Sequence, residues 1–117
     1  IIIIFAVLWI VNTKLGGIGV RHINGHSSSR KGDLAEFYAV TWLWDNGYEV
    51  FKNCGCDGPV DLIATKDGET TMIDIKTRSN GGSNSSTRRS DLQKEMNVQI
   101  LLYLSDTREL RFVNHKD

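Results

Sequence analysis

Asp67-Gly68 stands between two runs of β-favouring residues, one over residues 60–65 and one over residues 70–76. An Asp-Gly pair in that setting specifies a tight two-residue type I′ hairpin, and the turn then fixes the register of both strands. Glu69 pairs with Lys66, Thr70 with Thr65, Thr71 with Ala64, Met72 with Ile63 and Ile73 with Leu62, so Asp74 falls across from Asp61. Side chains alternate along a strand. Asp61, Asp74 and Lys76 therefore share one face, while Val60, Leu62, Ala64, Ile73 and Ile75 form an apolar face for the core.

Two carboxylates facing each other on neighbouring strands repel unless something positive lies between them. A divalent cation supplies that charge. Carboxylate oxygens are the hard ligands that Mg²⁺ takes, usually one or two from protein with waters in the remaining positions, and Mn²⁺ is an expected substitute. Such a site suits phosphodiester hydrolysis, with Lys76 to orient hydroxide or offset developing charge. The plainer alternative is a solvated ladder of ion pairs on a surface hairpin.

The arrangement of Asp61, a hairpin, and Asp74-x-Lys76 resembles the PD-(D/E)xK nuclease superfamily, and Arg30-Lys31-Gly32-Asp33-Leu34-Ala35-Glu36 resembles the first-helix motif of archaeal-type Holliday junction resolvases. The resemblance spans residues 30–113. It departs at Val60, which separates Pro59 from Asp61 where the superfamily's name implies adjacent Pro and Asp. It implies a restriction-endonuclease-like α/β fold with an αβββαβ core, a mixed central sheet flanked by helices. It also implies a Mg²⁺-dependent DNA endonuclease in which Asp61, Asp74, Glu36 and the Ile75 carbonyl hold the metal and Lys76 positions the attacking water. The entry Arg30-Lys31-Gly32 and the small size favour a junction-resolving enzyme acting as a homodimer on branched DNA. Restriction, homing or repair endonucleases are the alternative within that class, and a catalytically silent nucleic-acid-binding module lies outside it.

With 117 residues the chain holds one core at most, and its formal net charge of zero argues against a polybasic binder relying on bulk attraction to phosphate. Cys54 and Cys56 are too close in sequence for an unstrained bridge, which fits a reducing, cytoplasmic setting. Residues 1–11 are wholly apolar but shorter than the roughly 20 residues that span a membrane, so they are expected to pack on the core or a partner unless they are the remnant of a longer anchor. Residues 12–29 are rich in Gly, Ser and Asn and read as a linker. The division is residues 1–28, an apolar segment plus linker, and residues 29–117, the nuclease-like domain.

Along that domain, Leu34, Phe37, Tyr38, Thr41 and Trp42 recur at helical spacing over residues 30–46, with Asn46-Gly47 as the stop. Trp42 and Trp44 are expected in the core or a dimer contact. A first strand covers residues 48–52. After the Lys76 strand, residues 78–89 are polar and carry Arg78, Arg88 and Arg89, either as an arm that closes on a phosphate backbone or as an ordinary solvated loop. Ser90-Asp91-Leu92-Gln93 reads as a capping box opening a helix that ends near Met96. By the resemblance, Gln93 and Lys94 orient metal waters or DNA, and Arg30 and Lys31 join the DNA-binding set. Strands over residues 98–103 and 109–113 complete an αβββαββ order, the resembled core with one added C-terminal strand.

Overall fold

The structure, a computed structural model, describes residues 27–55, 57–79 and 87–115. The expectations for residues 1–26, for Cys56 and for most of the 78–89 arm fall outside them. Among the described residues no helix is long and apolar enough to cross a membrane. The chain divides at Arg30, and the fold described below is that of the second unit, Lys31–Asp117.

Helix α1 (Ser28–Asp45) is followed by strands β1 (Glu49–Lys52), β2 (Leu62–Lys66) and β3 (Glu69–Arg78), then helix α2 (Asp91–Glu95), β4 (Gln99–Leu104) and β5 (Glu109–Phe112). The αβββαββ order is as expected, with ends shifted by a residue or two, the usual margin at fraying termini. The five strands form one mixed sheet in the order β1-β2-β3-β4-β5, antiparallel throughout except for the β3–β4 pair. A parallel neighbour needs a crossover rather than a turn. The segment bearing α2 supplies it.

The hairpin register is the one Asp67-Gly68 dictates, from Lys66↔Glu69 to Leu62↔Ile73. Both turn residues have positive φ, +53° at Asp67 and +81° at Gly68, as a type I′ turn requires. Gly47, at φ +86°, likewise ends α1 in the left-handed conformation.

The core lies between α1 and one face of the sheet, where Ala39 and Leu43 meet Leu62, Ala64, Ile73 and Leu101. Val50, Ile75, Leu110 and Phe112 pack around this cluster, and Trp42 meets Phe112 edge-on. The expected stripe on α1 needs correction. Its fully buried residues are Ala35, Ala39 and Leu43, whereas Phe37 and Trp44 are 63% and 60% exposed. Small side chains let the helix axis approach the sheet, and the bulky neighbours are turned to its flanks. Ile100 and Leu102 alternate onto the sheet's other face, as does Asp74, the register partner of Ile100. There α2 meets the sheet through Gln93.

Candidate active site

Three elements converge where β2 begins beside β3. The ladder's last pair is Leu62↔Ile73, and at Asp61 the bonding slips by one residue: its N–H donates to the Ile73 carbonyl at 2.8 Å. The slip frees the Asp61 side chain to turn along β3, where Oδ2 accepts the Ile75 N–H at 2.7 Å. The expected direct pairing of Asp61 with Asp74 is therefore not formed, because the ladder ends one pair earlier, yet the two carboxyls still interact from offset positions.

Asp74 is only 6% exposed, which leaves its carboxylate dependent on protein donors. Its Oδ2 receives two: Lys76 Nζ at 3.1 Å and Gln93 Nε2 at 2.9 Å. Burial lifts the Asp61 carboxyl from 3.8 to about 6, the Ile75 N–H opposes that shift, and the hydrogen bond and charge of Asp74, with the charge of Glu36, add to it. Glu36, from α1, is near enough to be felt by Asp61, yet its own Oε2 pairs with Lys52 Nζ at 3.2 Å. Among the described residues no group of three or more His, Cys, Asp or Glu is gathered closely enough to hold a metal ion. Asp61 and Asp74 form a two-carboxylate site instead, with excess negative charge in a partly buried setting. That donor set fits Mg²⁺, which takes one or two protein carboxylates and keeps its waters.

Residues 27–95, from α1 through α2, match the family model of the archaeal Holliday junction resolvases. The chain belongs to that family. The matched residues include Glu36, Asp61, Asp74, Lys76 and Gln93. A solved structure with a similar fold is that of the bacterial homing endonuclease I-Ssp6803I, at a TM-score of 0.60 and 18% identity, covering 75% of this chain and 69% of that one. At that identity the likeness speaks for the fold, a restriction-endonuclease-like mixed sheet with helices. No curated protein sequence gives a significant match. Family membership makes this chain a nuclease.

In this resolvase-family chain the remaining residues singled out from sequence divide into two groups. Lys31, Arg88 and Lys94 are exposed and Arg78 is half-buried, and Arg30 is exposed in the first unit. Two others are engaged inside the fold. Arg89 is half-buried, with Nη1 donating to the Val98 carbonyl at 3.2 Å. Gln93 is 7% exposed, and its amide is committed to Asp74, to the Pro59 carbonyl at 3.0 Å and to the Ser90 N–H at 2.9 Å. The capping box itself is formed as expected. His115 accepts the Ile100 N–H at 3.4 Å; burial and the charge of Arg89 lower its pKa. The pull of Gln93 onto Asp74 carries no local sequence signal, because it links residues 19 positions apart.

Proposed function

We propose that this chain is a metal-dependent DNA endonuclease that resolves four-way junctions. The observation that carries the reading is the convergence of Asp61, Asp74 and Lys76 within the segment matched by the resolvase family. Asp61 and Asp74 would hold the cation, with the Ile75 carbonyl as a further oxygen donor; Glu36, paired with Lys52 and not gathered with the two aspartates, would join them only on leaving that ion pair. Mg²⁺, or Mn²⁺ in its place, supplies Lewis-acid polarisation of the phosphoryl group and a lowered pKa for water. Lys76, whose ammonium pairs with Asp74 Oδ2 at 3.1 Å, would orient the attacking water and offset charge developing on the phosphate. Ile75 N–H keeps Asp61 aimed into the site.

DNA is held by local groups rather than by bulk charge, since the chain's formal net charge is zero. Lys31, Arg88 and Lys94 are exposed and available for phosphate, with Arg30 and Arg78 as further candidates. A homodimer would present two such sites to a branched substrate, matching a two-fold junction by symmetry. The test is cleavage of labelled four-way junction, nicked, mismatched and linear duplexes with and without Mg²⁺. Symmetric cutting of the junction in preference to linear duplex supports the assignment. Equal or greater cutting of linear DNA would shift it to a restriction, homing or repair type, and metal-independent binding without turnover on every substrate would shift it to a silent DNA-binding module.

A further inference from the structure

A capping box needs only the Gln93 oxygen, which accepts the Ser90 N–H while Ser90 Oγ accepts the Gln93 N–H at 3.2 Å. A glutamate would serve that purpose equally well, and the rest of such a side chain ordinarily faces water. Here the amide nitrogen is turned inward, where it donates to Asp74 Oδ2 and to the Pro59 carbonyl. Both of those partners are acceptors. Only an amide satisfies all three neighbours at once, and its orientation is set by them: rotated by half a turn, Oε1 would face two acceptors and Nε2 the Ser90 donor.

The contrast with the other donor on Asp74 is informative. Lys76 brings a charge on a long stem whose side chain is 39% exposed, so it neutralises the carboxylate without fixing its angle. Gln93 is buried, anchored at its other end by the cap, and neutral. It fixes direction and leaves the negative charge for a cation. Its second bond holds the backbone at Pro59, two residues before Asp61, against the strand that carries Asp74.

We infer that Gln93 is a positioning residue that sets the angle of the Asp74 carboxylate and the approach of the Pro59–Asp61 segment, so that the cation affinity of the Asp61–Asp74 pair depends on it. The inference rests on the metal-dependent reading above. Groups that orient a ligating carboxylate are worth about tenfold or more in metal affinity.

The experiment measures Mn²⁺ binding by titration calorimetry on the protein without DNA, alongside kcat and KM for junction cleavage, for wild type, Gln93→Met and Ser90→Ala. Gln93→Met is expected to weaken Mn²⁺ binding by about tenfold and to lower kcat at fixed metal while KM for DNA holds. Ser90→Ala keeps the inward amide, so its Mn²⁺ binding is expected to match wild type. Equal weakening by both variants would mean that only the stability of α2 matters and would overturn the inference. Mn²⁺ binding by Gln93→Met as tight as in a cleaving wild type would overturn it too, leaving the nuclease reading intact. Wild type that neither binds Mn²⁺ nor cleaves would remove both. Should Gln93→Met fail to fold, the Gln93 side-chain amide resonances of wild type decide: they are expected to shift as Mg²⁺ fills the site, and unmoved resonances at saturation would contradict the role.

Discussion

The carboxylate of Asp61 and the backbone N–H of Ile75 meet at 2.7 Å, tying a side chain from just before β2 to the strand that bears Asp74 and Lys76. Because this bond is made to the ionised carboxylate, it opposes the effects of burial and of two neighbouring acids that favour the protonated form. The site is therefore preorganised and electrostatically uneasy at once, the condition in which a cation is bound most profitably.

A consequence for pH follows in the metal-free protein. The Asp61 carboxyl is raised from 3.8 to about 6 in the folded state, so folding favours the proton there. The stability this contributes is fully present below about pH 4 and is lost as pH rises through about 6. Urea denaturation in chelator is expected to show the loss over that window, with Asp61→Asn flattening it. A wild-type profile that shows no loss there would contradict the assigned environment.

The helix face makes a second expectation. Leu43 is fully buried against the sheet while its neighbour Trp44 is 60% exposed. Leu43→Ala should cost about 3 kcal/mol, whereas Trp44→Ala should change stability by less than about 0.5 kcal/mol. Denaturant midpoints at constant m-value decide between them. The reverse order would mean that the helix packs through its aromatic side.

The contrast between those two residues also shows where sequence reading succeeds and where it stops. The hairpin was legible because Asp67-Gly68 is a local signal that admits one turn type, and every predicted pair from Lys66↔Glu69 to Leu62↔Ile73 is formed. The capping box at Ser90 was legible for the same reason. The α1 face was misread because bulk and hydrophobicity marked Phe37, whereas close packing on a sheet selects Ala35 and Ala39. Asp61's slip off the ladder, and the inward turn of Gln93 onto Pro59 and Asp74, depend on contacts between distant segments. Periodicity along one segment carries no trace of those contacts.

At the turn, Gly68 sits at φ +81° with open space where a Cβ would be, so Gly68→Ala is penalised by backbone conformation rather than by a clash. A loss of about 1 kcal/mol is expected, measured by thermal or urea unfolding, and Gly68→Asn should recover part of it because Asn tolerates the left-handed region. No loss in Gly68→Ala would contradict the type I′ assignment.

Glu36 separates function from stability. Its ion pair with Lys52 is partly solvent-exposed, and such pairs contribute less than about 1 kcal/mol. Glu36→Gln should therefore fold with nearly wild-type stability yet lose most of its cleavage, whereas Lys52→Ala should retain cleavage. Wild-type turnover by Glu36→Gln would exclude Glu36 from the active set.

The most direct test of the central claim is the Mg²⁺-dependent cleavage rate of a labelled four-way junction by wild type, Asp74→Ala and Lys76→Ala, each first shown to be folded. The Asp61, Asp74 and Lys76 site requires cleavage by wild type that stops on adding chelator, and losses of at least about a hundredfold in both variants. Undiminished cutting by either folded variant would contradict it.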